Sequence, residues 1–447
     1  MTERLGDHFD GQILEPVDDG YDAARRVWNA MVDRKPAVIT RCASTDDVVV
    51  ALRYGRAAGL EIGVRGGGHS VLGLPVADGG LMIDLSAMNS VEVDLDNRHA
   101  RVHGGALLGA LDHASQAYGL GTPAGNVSHT GVGGLTLGGG TGWLSRAHGL
   151  SCDNVASFQV VLADGSVVRA SERENADLYW GLCGGGGNFG VVTEFEFRLH
   201  PVGTQALLVD VQVEPERAAD ALRGWRHLLA DAPRSATYFA RSSADGGWRA
   251  SIGYVWIGDS DEGRALLPGL RAAAAGPTGA ELVQEMSYVE LQEIDDDREG
   301  HTLRRYWKGH YLPELPDEAI DAFLARDAGS GLRTGGRLTA WGGAIEDIPD
   351  DASAFSHRAA LVEFTLAAGW TDPAEDARRM EGARQYARTI EPYATGVYVN
   401  ALADEGQAGV RRAYSPAKLA RLTELKDRYD PDNVFHLNSN IPPSPRS

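Results

Sequence analysis

Glycine placement constrains this chain more than any other feature. Of its 447 residues, 56 are glycine, well above the roughly 7% of an average protein. They gather in three dense blocks, Gly66–Gly68, Gly131–Gly142 and Gly184–Gly190. Glycine is needed where the backbone takes positive φ or must approach another group closely. Three such blocks between apolar segments imply one large ligand gripped by backbone.

The segments around the blocks read as mixed structure. Residues 37–43 form an expected strand, and Ser44 or Thr45 caps a helix from Asp46 to Ala58 that Gly59 ends. Residues 61–65 are a short strand running straight into Gly66-Gly67-Gly68-His69-Ser70. Strands are expected at 81–85, 90–93 and 101–104, and the apolar spacing of 106–118 predicts a helix. Asp164-Gly165 joins 158–163 to 166–170 as a hairpin, and 191–199 is a further strand. After His200-Pro201 the glycine blocks cease. Helices are expected near 215–230, 261–274, 316–327 and 373–389, with strands at 206–213, 248–256, 338–344, 360–367 and 396–400. Residues 415–428 form a last helix. The fold class is α+β, with 202–395 a second domain in which a sheet is backed by helices.

Composition bounds the partners. There are 42 basic and 62 acidic residues, a net charge of −20, which disfavours nucleic acid and anionic membranes. Three cysteines (Cys42, Cys152, Cys183) cannot build a disulfide framework. No apolar stretch has the length of a signal peptide or a membrane span. The expectation is a soluble, cytoplasmic protein with no nucleic-acid or membrane partner, either a monomer or a homo-oligomer.

The glycine blocks fit few known chemistries. Gly185-Gly186-Gly187-Asn188-Phe189-Gly190 matches G-x-G-x-x-G but leads into a strand, so no helix N-terminus would face a pyrophosphate. There is no P-loop, and Gly149-Leu150-Ser151-Cys152-Asp153 lacks the last glycine of a nucleophile elbow. His99 and His103 share a strand face without the further ligands of a metal site, so no metal is expected. The loop 66–70 remains: successive free N–H groups form a nest for phosphate, with Arg65 beside it and His69 at its end.

Val64-Arg65-Gly66-Gly67-Gly68-His69-Ser70 resembles the phosphate loop of the vanillyl-alcohol-oxidase flavoprotein superfamily, and more narrowly that of the berberine-bridge-enzyme-like oxidases. Supporting segments are Gly125-Asn126-Val127-Ser128-His129-Thr130-Gly131-Val132-Gly133-Gly134, then Gly138–Gly142, 149–155 and 184–192. The stretch from Arg428 to Phe435, followed by Asn438-Ser439-Asn440-Ile441, resembles the family's closing module.

The resemblance implies an FAD-binding domain built from both parts of the chain, 1–201 and 396–447, with an inserted substrate domain at 202–395. It implies FAD linked through its 8α carbon to His69, and cofactor contacts from Val64–Ser70, Gly125, Val127, Thr130, Gly131, Val132, Gly133, Gly134, Leu135, Thr141, Gly142, Val192 and Asn438. Members with a second, cysteinyl link carry cysteine where this chain has Val127, so a single covalent bond is expected, as in the branch resembling 6-hydroxy-D-nicotine oxidase. The plant-type tyrosine base is replaced by Ala401, after Tyr398-Val399-Asn400. Thr130 matches the position that gates oxygen in the family.

For catalysis, Tyr398 and Asn400 would share one strand face toward the flavin edge. Lys308, in a Tyr-Trp-Lys-Gly-His segment resembling one near bacterial active sites, is a base if desolvated and otherwise a surface lysine. Glu363, in an apolar strand, faces either solvent or a cavity. The expected activity is hydride transfer from a C–H next to O or N of a small molecule to flavin N5, with O₂ reoxidising the flavin to give H₂O₂. The alternatives are a dehydrogenase with another acceptor, or a non-enzymatic ligand-binding relative.

Overall fold

The computed structural model describes residues 5, 9–243, 249–274, 276, 279–296, 300–325 and 335–445. Its first sheet has the order Gln12–Leu14, Val38–Arg41, Leu81–Asp84, Ile62–Arg65, the last three strands being parallel. The helix Thr45–Ala57 covers it with Val48, Ala51 and Leu52, and Ser44 Oγ accepts the N–H of Asp47 at 3.2 Å. That hydroxyl satisfies one donor the helix start leaves open. Strand Ile62–Arg65 delivers the loop 66–70 at the carboxyl end of the parallel strands, where open sheets bind ligands.

The second sheet is antiparallel: Val91–Asp94, His99–His103, Val191–Arg198, Val155–Val161, Val167–Ser171. Its hairpin turns at Gly165, whose φ of 82° suits glycine. Phe158, Phe195 and Phe197 form a core with Leu182, and Leu422 and Leu425 of the helix Pro416–Tyr429 close it.

Seven antiparallel strands make the third sheet, ordered Glu281–Ser287, Gln205–Val213, Arg249–Ile257, Ala236–Ser243, Gly336–Ala340, Val362–Trp370, Arg304–Leu312. Side chains alternate across it. One face, with Leu207, Val209, Tyr254, Leu338 and Phe364, packs on Trp225, Leu270, Ile320 and Phe323 of the helices Ala218–Leu228, Leu267–Ala273 and Asp317–Leu324. The register puts Asp210, Phe239, Arg241, Arg337, Thr339, Glu363 and Tyr311 on the other face. That face looks toward the glycine-rich half: Thr237 Oγ1 donates to Trp143 O at 3.0 Å, and the Arg337 guanidinium lies 4.9 Å from the Trp143 ring centre.

Three expectations need correction. Residues 396–400 form no strand: Gly396 makes one bridge to Tyr311, and Val399–Ala401 is a 3₁₀ turn. The His357 ring fills the space a side chain at Gly396 would need, and the chain then turns so that Asn400 reaches Gly134 and Leu135. The helix at 261–274 is two, Ser260–Arg264 and Leu267–Ala273, because Pro268 cannot continue the first one's hydrogen bonds. Strands Ala236–Ser243, Glu281–Ser287 and Arg304–Leu312 were not expected from the sequence. Trp248, expected to begin a strand, and residues 326–327, expected to end a helix, lie outside the described residues.

Candidate active site

Two glycine blocks cross. A Cβ on Gly67 would lie 2.3 Å from Gly131 N, and one on Gly131 would lie 2.2 Å from Gly67 N. Real Cβ atoms do not approach that closely, so only glycine lets the backbones meet. Gly104 O sits against both Gly66 and Gly133, and a Cβ on Gly104 would meet Val192 O at 2.3 Å, which ties these segments to the second sheet. Among the described residues, no partner takes up the backbone N–H of Gly66, Gly67, Gly68, His69 or Ser70. Ser70 Oγ accepts the N–H of Leu74, closing the loop. Arg65 is anchored by Ala24 O and by the buried Asp84 at 3.8 Å, while Val64 packs in the apolar layer below.

His69 is half-buried at the end of this loop. Its ring stacks on Trp28, with centres 4.6 Å apart and planes 15° from parallel. Its Nε2 lies 2.7 Å from His129 Nδ1, and its Nδ1 lies 3.3 Å from Thr130 Oγ1. Burial, helped by His129, His301 and Arg305, pushes its pKa down to about 2. The imidazole is therefore neutral at any ordinary pH. With His69 Nε2–H donating to His129, Nδ1 keeps a lone pair that the Thr130 hydroxyl can meet.

The block 131–142 meets the segment 398–400. The Tyr398 hydroxyl accepts the N–H of Gly140 at 3.0 Å and a bond from Asn400 Nδ2 at 2.9 Å. Asn400 Nδ2 also reaches Gly134 O and Leu135 O, at 3.3 and 3.2 Å. Tyr398 and Asn400 thus meet through a 3₁₀ turn rather than along a strand. Burial raises the Tyr398 pKa above the ordinary phenol value, so the phenol stays protonated. A Cβ on Gly142 would lie 1.7 Å from Ala124 O, so Gly142 seats the turn that carries Gly125, Val127 and Thr130. Thr141 is half-buried beside it.

Glu363 is 7% exposed and lies on the sheet face that looks toward this group. Burial raises its carboxyl to about 7 against the opposing pull of Arg337. Lys308 stands apart. It lies on the helix-packed face, opposite Leu366, and pairs with Asp404 at 3.1 Å and Glu405 at 2.5 Å. Its neighbour Trp307 is the residue on the other face, meeting Trp28 edge-on at 5.3 Å.

At the far end, Asn438 Nδ2 donates to Gly187 O at 3.1 Å and to Phe435 O at 3.0 Å, and its Oδ1 is buried without a partner among the described residues. The Nε2 of His129 and the Oδ1 of Asn126 and Asn440 are likewise orphaned. Orphaned buried polar atoms in a native fold call for a missing partner. Together with five open N–H groups and glycines that allow close approach, they fit a long polar cofactor with a phosphate-rich middle. Cys152 is buried in the core, with its thiol pKa pushed up by the neighbouring Cys183 and by burial, and it donates to Asp153 Oδ1. Sequence reasoning missed Trp28, His301, Arg305 and Arg337, which carry no local motif and reach the site only through tertiary packing.

Residues 36–171 match the model of an FAD-binding domain, and residues 397–442 match that of the berberine and berberine-like module. An FAD-linked oxidoreductase of Bacillus subtilis is 30% identical over 97% of this chain and 98% of its own length. The solved structure of 6-hydroxy-D-nicotine oxidase from Arthrobacter nicotinovorans superimposes with a TM-score of 0.89, at 26% identity over 99% of this chain and 100% of that one. Glucooligosaccharide oxidase from Acremonium strictum, described as carrying a 6-S-cysteinyl, 8α-N1-histidyl FAD, superimposes with a TM-score of 0.87, at 26% identity over 99% of each chain. The open N–H nest before His69 and the crossed glycine blocks stand within a fold shared along the full chain with these flavoenzymes. This chain belongs to the berberine-bridge-enzyme-like family of FAD-linked oxidoreductases.

Proposed function

We propose that this enzyme is an oxidase carrying FAD on His69 by a single covalent bond, the cofactor being held by 1–201 and 396–447 and the substrate by 202–395. The observation that carries the reading is His69: neutral, stacked on Trp28, and, when His129 holds Nε2, with an Nδ1 lone pair beside the Thr130 hydroxyl that can bond carbon. FAD, when bound, would supply a hydride acceptor at N5 and an electron store that O₂ can empty. The chain's own residues do the rest. The 66–70 nest takes the phosphates, and Tyr398 with Asn400 fixes the 134–140 backbone. Glu363, whose carboxyl titrates near 7, takes the proton that the substrate's hydroxyl or amine gives up. Val127 stands where a cysteinyl link would need sulfur.

Intact mass of the denatured protein tests the bond. The wild type is expected to be heavier by one FAD, and His69→Ala to lose the increment while keeping the yellow native colour. An unmodified wild-type mass would remove the covalent link. Stopped-flow mixing of reduced enzyme with O₂ tests the acceptor. Fast reoxidation, slowed about tenfold or more in Thr130→Leu by the bulk placed beside His69 Nδ1, is the expected result. Reoxidation that is slow in the wild type would favour a dehydrogenase.

A further inference from the structure

The sheet face that looks toward the glycine-rich half is charged where a face over a flavin would most simply be apolar. Arg337 and Arg241 are directly paired across neighbouring strands, which sets two cations side by side. Arg241 finds Asp210, its Nη1 lying 3.3 Å from Asp210 Oδ2. Arg337 does not. Its Nε and Nη2 are buried and have no hydrogen-bond partner among the described residues. The aromatic rings of Trp143 and Phe239 lie 4.9 and 5.4 Å from its guanidinium carbon. Nε and Nη2 are the two nitrogens of one edge of the guanidinium, and their N–H bonds run parallel. That spacing matches the two oxygens of a carboxylate. A buried guanidinium edge left unpaired is costly unless a partner completes it.

The acid on the adjacent strand of this face does not fill the gap. Glu363 lies diagonally across from Arg337, and burial keeps it largely protonated below about pH 7. The electrostatic surroundings of Arg337 also include Asp210, Asp295 and Arg241, and burial lowers its own pKa to about 9, so it remains charged at neutral pH. The unpaired Arg337 guanidinium favours an organic acid over a protonated amine.

We infer that Arg337 is the specificity-determining residue of the substrate site, and that the substrate is a small molecule bearing a carboxylate, held bidentately by the Nε and Nη2 of Arg337 while its oxidised C–H lies farther along the sheet toward Glu363. This deepens the oxidase reading and rests on it for the identity of the site, but it makes a claim about binding alone.

The test uses the oxidised holoenzyme and three probes of one shape: benzoate, benzamide and benzylammonium. Binding is read at pH 6 by calorimetry and by the perturbed flavin absorbance. Benzoate is expected to bind about tenfold or more tightly than benzamide, and benzylammonium not measurably. Arg337→Met should remove the benzoate preference while leaving benzamide binding and flavin content unchanged, and Arg337→Lys should restore part of it. Because Glu363 faces the same group, alongside Asp210, Arg241, Asp295, Tyr311 and Tyr398, benzoate affinity should fall as pH rises through about 7. If Arg337→Met does not fold, the wild-type ranking and its pH profile decide. Equal binding of benzoate and benzamide, or benzoate affinity untouched in a folded Arg337→Met, overturns the inference. Neither outcome bears on the oxidase reading, because no turnover is involved and O₂ reoxidation is measured separately.

Discussion

Lys426→Met is expected to destabilise the protein by about 3–5 kcal/mol, the penalty for leaving a buried charge without its partner. Lys426 and Asp430 are both fully enclosed, one turn apart on and just after the last helix, and they pair at 2.7 Å. The ammonium spends its other two protons on Asn188 O and Phe435 O, each at 2.9 Å. Asp430 in turn accepts the N–H groups of Val434 and Phe435. Removing the lysine leaves a carboxylate and two carbonyls facing an apolar side chain. Urea unfolding should show the lower midpoint at an unchanged slope. The double variant Lys426→Met/Asp430→Leu should regain part of the loss, and a double variant no more stable than the single one would show that the pair is not the source. Flavin content should fall with stability, because the same bonds hold the closing module against the turn at 185–188.

Gly131→Ala is the second large effect. The added methyl would lie 2.2 Å from Gly67 N and 2.7 Å from Gly67 Cα, both backbone atoms that cannot swing aside. Backbone shifts of this kind cost about 1–3 kcal/mol. They also displace the loop that presents His69. The expected result is a folded but weakened protein with little bound FAD, read as the ratio of flavin to protein absorbance. Gly269→Ala is the control: its methyl would meet nothing closer than Leu228 Cδ2 at 3.7 Å, in a helix, so stability should stay level or rise slightly. Full flavin content in Gly131→Ala would mean that the two loops separate easily and that the crossing is not needed for binding.

Much of the flavin half could be read from sequence because its constraints are local. A strand, three glycines and a histidine form one continuous stretch, and the helix Thr45–Ala57 announces itself with Ser44 before it and Gly59 after it. The half built on the seven-stranded sheet resisted. Strand Arg304–Leu312 alternates correctly, but its helix-facing positions hold Tyr306, Lys308 and His310, and polar residues there hide the apolar period. Strand Glu281–Ser287 is an exposed edge, with little buried surface to pattern. Resemblance drew attention to Lys308, yet a shift of one position in strand register exchanges the two faces, and its side chain falls on the far side. Glu363 and Arg337 sit 26 residues apart in sequence, and only the pairing of their strands brings them onto one surface.

The turn at 185–188 has a consequence for how the enzyme is made. Asn188 Oδ1 accepts the N–H of Ile441, a bond that spans 253 residues. Its carbonyl and that of Gly187 wait for Lys426 and Asn438. During synthesis, at roughly 5–20 residues per second, the turn leaves the ribosome well before any of these partners exists. The nascent chain therefore holds an unfinished cradle through most of its translation, and capture of the cofactor belongs to the completed polypeptide. A ribosome stalled short of the last helix would leave a product that folds its sheets and stays colourless.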